Sequence, residues 1–146
     1  MDDLTATGDS SDPIARIEQK MASGEVSREE IERARALWRA RLHDGVIMPH
    51  GERIMISARD LHHVLEDSRI RRKPERIERL LGGVFDIRTA RSGRRMGLSE
   101  WVEGGEAVRG YVIVDDESHV RTMHLLDARG LRKKARRGER LWRRHE

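Results

Sequence analysis

The chain contains no cysteine. Disulfides, thiolate metal sites and a cysteine nucleophile are therefore excluded. A reducing, cytoplasmic setting fits this composition. Aromatic residues are only 3% of the chain: Trp38, Trp101, Trp142, Tyr111 and Phe85. Proteins that hold single strands commonly stack bases on aromatic platforms. Any nucleic-acid affinity here must then come mainly from phosphate contacts, and so be salt-sensitive. No apolar run approaches the roughly 18 residues of a membrane span. The acidic opening MDDLTATGDSSD is no secretory signal, and no membrane association is expected. GxxxxGKS/T, GxGxxG after a strand, G-x-S-x-G and HExxH are all missing. ATP hydrolysis, dinucleotide redox chemistry and zinc hydrolysis fall away with them. No metal and no organic cofactor are expected.

What the chain has is charge. Charged residues are 38% and hydrophobic ones 36% of 146, which suggests one domain with a small core plus extensions. The net charge of +4 hides an asymmetry. Residues 1–30 are acidic, whereas ARGLRKKARRGERLWRRHE at the end is strongly basic. A run of that kind favours a polyanion. The acidic start could shield the basic site intramolecularly.

Order along the chain follows from caps and periods. Residues 1–12 read as a disordered acidic segment. Asp12-Pro13 then starts a short helix. Ser27 and Glu30 form a capping box for a second, with Ile31, Ala34, Leu37 and Trp38 at helical spacing. Together these make a helical N-terminal extension over 13–44. From Gly45 the period changes. ERIMIS reads as a strand leading into ARDLHHVLEDSRI as a helix, and KPERIERLLGGV reads as another. The remainder alternates with period two: VFDIRTA, LSEWVE, AVRGYVIV and HVRTMHLLD. The fold class expected is α+β, with N-terminal helices followed by two short helices packed on an antiparallel sheet of about four strands over 45–138. Residues 139–146 read as a basic C-terminal tail.

Candidate chemistry centres on the paired histidines. On a helical wheel His62 flanks the Leu61/Val64/Leu65 face, and His63 points nearly opposite. At most one can lie beside the sheet, and His62 is the better placed. The bland alternative is a surface pair, His62 with Glu66 and His63 with Asp67. The sheet offers cations at Arg88, Arg91, Arg94, Arg95 and Arg121. Thr122 and His124 share one strand face and could present a hydroxyl and an imidazole to a phosphate. Arginine suits phosphate because its planar fork makes paired hydrogen bonds. In the basic end, Arg132, Lys133, Lys134, Arg136 and Arg137 are the candidate nucleic-acid contacts.

The segments ISARDLHHVLED, ERIERLLGGVFDIR and GYVIVDDESHVRTMHLL, in that order, resemble the phage-associated branch of the barnase/EndoU/colicin/RelE-like ribonuclease superfamily. The resemblance covers about residues 45–138. It implies a metal-independent endoribonuclease of the toxin type, acting on RNA and opposed by an antitoxin or immunity protein. The family's helix histidine maps onto His62 or His63, its strand hydroxyl onto Thr122, and its basic strand residue onto Arg88 or Arg94. Where the family often continues with an aromatic, Met123-His124 follow here, and His124 then stands as a second acid/base. The rival expectation is a non-enzymatic phage or mobile-element module. In it the Ser27–Leu42 helix binds a protein partner and the basic tail touches nucleic acid.

Overall fold

The computed structural model describes residues 12–145. The acidic opening lies outside these, apart from Asp12. The fold is α+β: six α-helices, a two-stranded hairpin and a five-stranded antiparallel sheet among the described residues.

Short polar side chains start the helices, because each supplies an acceptor to amides that lack a helical partner. Asp12 caps α1 (Pro13–Ala22) through the Ile14 N–H, with Pro13 where no amide is needed. Ser27 caps α2 (Arg28–Leu37), which runs on into a π turn at Trp38–Leu42. The hairpin β1 (Val46–Ile47) and β2 (Arg53–Ile54) follows. Ser57 caps α3 (Ala58–Val64). The single helix expected here is two. The chain restarts as α4 (Ser68–Arg71) under a new cap, the Asp67 carboxylate, which accepts the Arg69 N–H at 2.9 Å. α5 (Arg76–Gly82) leads into the sheet.

β3 (Val84–Thr89), β4 (Arg95–Glu103), β5 (Glu106–Val114) and β6 (Val120–Leu126) form a meander. After α6 (Ala128–Lys134), β7 (Arg140–Arg143) returns beside β3, giving the order β6-β5-β4-β3-β7. Residues 139–146, read from sequence as a tail, thus supply a fifth strand. Glu139 O accepts the Thr89 N–H, and Phe85 O accepts the Arg144 N–H, both at 2.9 Å. Gly138 makes that return possible. Its φ is 66°, and a side chain there would collide with the Thr89 carbonyl.

The inner face of the sheet carries Val84, Val112, Met123 and Leu125 against Leu61, Leu65, Leu80 and Leu81. Ile17, Met21, Ile31 and Ala34 of α1 and α2 belong to the same cluster. Residues 13–44 therefore share the core of the domain rather than extend from it. The apolar face of α2, Ile31 and Ala34, is buried within the molecule.

One polar knot joins the hairpin to the sheet. Glu52 accepts from both outer nitrogens of Arg95, from the Ser118 hydroxyl, and bonds His50 Nε2 at 2.9 Å. Those bonds, Arg95 first, outweigh the cost of burial and hold the Glu52 carboxyl down at about 2. Arg95, expected to touch nucleic acid, is committed to this pair instead. A carboxyl whose folded pKa lies below its unfolded value stabilises the fold above the unfolded pKa. That stability is lost as pH falls from about 4.5 toward about 2. Glu52→Gln should therefore flatten the acid limb of the stability profile, removing on the order of 2 kcal/mol at neutral pH. Denaturant midpoints between pH 2 and 7 check this. Parallel profiles for parent and variant would contradict it.

Candidate active site

The two neighbouring histidines have opposite fates. His62 is 5% exposed. Its Nδ1–H donates to the Ala58 carbonyl at 2.6 Å, and its Nε2 accepts from Arg35 Nε and Nη2 at 3.0 and 2.9 Å. Burial pushes its pKa below the ordinary value, so it stays neutral. The wheel placed His62 correctly on the covered flank, but that flank meets α1 and α2 rather than the sheet. His63 is the residue that reaches the sheet, over the free edge of β6.

His63 Nε2 lies 3.4 Å from the Thr122 hydroxyl, and so does His124 Nε2. The two ring nitrogens lie on one small oxygen. Each ring is held from behind by a carboxylate on its other nitrogen. His63 Nδ1 bonds Glu66 at 3.2 Å, and His124 Nδ1 bonds Asp67 at 3.2 Å. Arg16 of α1 grips Glu66 with two nitrogens at 2.8 Å each. That grip outweighs burial and keeps the Glu66 carboxyl below its usual range. Burial pushes the Asp67 carboxyl up, but bonds from His124 and Arg69 more than offset it, and it too lies low. Both carboxylates are thus ionised near neutrality and fix Nδ1 as the N–H of each ring. The Thr122 hydroxyl has one proton to give, so it can donate to only one Nε2. The other Nε2 can bond that oxygen only as a donor.

The sheet explains why these groups meet. Tyr111 pairs with His124 and Ile113 with Thr122 across β5 and β6. Alternation puts all four on the outer face, away from the α3–α5 layer. The register slips between Ile113 and Val114, so Val120 turns inward and Arg121 falls at the irregularity. Val120 therefore leaves the face that Thr122 and His124 share. The Tyr111 ring leans on His124, with centroids 5.7 Å apart.

Cations surround the pair. Arg94, Arg121, Arg59 and Arg16 line one depression with His63. Arg121 Nη1 stands 3.6 Å from Asp60 and 3.8 Å from Asp115, ion-pair distances too long for hydrogen bonds. Arg94 is exposed, and its guanidinium has no carboxylate within 4 Å among the described residues.

No family model, curated protein or solved structure matches this chain. The functional argument therefore rests on the geometry.

Of the residues singled out from sequence, His63, Thr122 and His124 converge, with Arg94 and Arg121 beside them. His62 does not join them. Nor does Arg88. It shares a cross-strand row with Thr122 through Met96 and Ile113, but lies three strands away, roughly 14 Å. Its guanidinium bonds Asp86 at 3.2 Å and the Arg137 carbonyl. Arg91, Lys134 and Arg137 border a neighbouring groove. Arg132, Lys133 and Arg136 border a smaller one along α6. Sequence reasoning missed Arg16, Glu66, Asp67 and Tyr111 as supports. The signal was the ED that follows HHVL. The pairing is His63 with Glu66, and Asp67 with His124 from a distant strand, not the two local pairs expected. Among the described residues, no three His, Asp or Glu side chains gather as a metal-ligand set.

Proposed function

We propose that the chain is a metal-independent endoribonuclease of the toxin type. One observation carries the reading: two imidazoles, each oriented by an ionised carboxylate, converge on a single hydroxyl beside the exposed Arg94 and the loosely ion-paired Arg121. Cleavage of RNA by its own 2′-hydroxyl needs this set. A neutral imidazole takes the 2′-hydroxyl proton as that oxygen attacks phosphorus. An imidazolium on the other side gives its proton to the departing 5′-oxygen. Thr122 donates to a nonbridging phosphate oxygen, and Arg94 and Arg121 offset the charge that builds there. The products are a 2′,3′-cyclic phosphate and a free 5′-hydroxyl, with every proton accounted for.

The test is incubation of the purified chain with labelled total RNA in EDTA. Cleavage with cyclic phosphate ends is expected, and so is a bell-shaped dependence of kcat/KM on pH, because one ring must be neutral and the other charged. Intact RNA, or cleavage that stops on adding EDTA, would overturn the reading. Expression in a bacterial host should arrest growth, and His63→Ala should relieve it. Normal growth with the parent chain expressed would count against the toxin assignment.

A further inference from the structure

The outer face of the sheet continues past the imidazole pair into a groove of about 790 Å³. Its floor is apolar, formed by Met96 and Ile113. Ile113 is the cross-strand partner of Thr122, so the floor begins where the candidate site ends. Met96 pairs in turn with Ile113, which carries the floor one strand further, perpendicular to the strands. One wall is the β3–β4 turn, bearing Arg91 and Arg94. The other is the link from α6 to β7, bearing Lys134 and Arg137.

The walls are cationic and uncompensated. Several arginines elsewhere are tied up: Arg16 with Glu66, Arg71 with Glu30, Arg76 with Glu103, Arg95 with Glu52. Arg91, Arg94 and Arg137, by contrast, have no carboxylate within 4 Å of their guanidiniums among the described residues, and all three are exposed. Lys134 lies 4.2 Å over the Tyr111 ring, a contact that holds it at the groove mouth without neutralising it. An apolar floor between two rows of free cations matches a ligand with flat apolar rings and regularly spaced anions.

We infer that this groove binds the nucleotides flanking the scissile phosphate of a single-stranded RNA, one base lying on Met96 and Ile113 and the phosphates facing Arg91, Arg94 and Arg137. This rests on the ribonuclease reading of the adjoining pair. A pocket of this size takes about two nucleotides. A duplex cannot use it, because its bases face each other and leave no ring for the floor. The groove also supplies what the composition lacks. With few aromatics, base contact falls to aliphatic and thioether side chains and affinity to phosphate contacts.

The test uses the full chain and 2′-O-methyl oligonucleotides, which lack the attacking hydroxyl and cannot be cleaved. Affinities for two- and six-nucleotide single strands are measured by fluorescence anisotropy across salt concentrations. The parent should bind the longer strand at least about tenfold tighter, since added phosphates each release counterions. Arg91→Ala/Arg137→Ala should lose most of that gap, and its log–log salt slope should become shallower by about 1.4, or 0.7 for each lost phosphate contact. Arg28→Ala/Arg72→Ala makes the same charge change on the helical side and should keep the gap. A gap and slope retained in the groove variant would overturn the inference. So would equal loss in both variants, or a duplex binding as tightly as the single strand. No arm requires catalysis. A chain that binds in this way but does not cleave sinks the ribonuclease reading alone. One that cleaves without the length-dependent gain sinks the groove alone.

Discussion

Alanine at His63 or at His124 should each lower RNA cleavage by about 10²–10⁴-fold, the usual worth of one positioned acid or base. The double variant should fall little further, because the rings act as a unit on one proton path. Folding should be nearly unaffected, since both rings are about two-fifths exposed, at 39% and 42% of their side chains. His62→Ala should do the reverse. It deprives the Arg35 guanidinium and the Ala58 carbonyl of a buried partner. The cost is about 1–3 kcal/mol of stability, with cleavage retained in the folded fraction. His62 also carries its own pH signature. Its folded pKa is depressed by burial below 6.5, so the unfolded chain takes up a proton that the folded chain refuses. Its contribution is full above 6.5 and shrinks as pH falls below that value. Rates and denaturant midpoints on the three single variants separate these outcomes. Loss of cleavage in His62→Ala with retention in His63→Ala would reverse the assignment.

Deleting residues 139–146 should destabilise the protein by about 3 kcal/mol or more. β7 pairs Asp86 with Arg143, Ile87 with Trp142 and Arg88 with Arg140. Trp142 also lies against His50, with ring centroids 5.4 Å apart. Without β7 the β3 edge loses its partner, and buried Asp86 loses Arg140, which stands 3.5 Å from it. A removable tail would leave the urea midpoint unchanged, and that result would refute the role given to β7. Loss of nucleic-acid binding on truncation would follow from the damaged fold alone. Point changes at Arg91 and Arg137 are therefore the sounder probe of charge.

Much of the fold was written locally. Asp12, Ser27 and Ser57 each precede a helix and each cap it, because capping depends only on the next three residues. The β3–β6 meander was legible from alternation. β7 was not. RLWR is half arginine and shows no alternation of its own, and only the open β3 edge makes it a strand. The site was legible as residue types and not as partners. The wheel gave α3 one covered face, whereas α3 is covered by α1 and α2 on one flank and meets β6 on the other. That second contact selects His63. Asp67 could not be paired with His124 from sequence, because 57 residues separate them and the β-sheet register decides their meeting.

The same separation has a consequence for biosynthesis. His63 and Thr122 stand 59 residues apart, and His124 reaches them only when β6 has paired with β5. A growing chain carries His63, Glu66 and Arg16 long before it carries their counterparts. On the proposed reading, the ribosome that makes this protein handles an inert polypeptide until β6 has been synthesised. On that same reading, premature termination before β6 yields a product that cannot cleave.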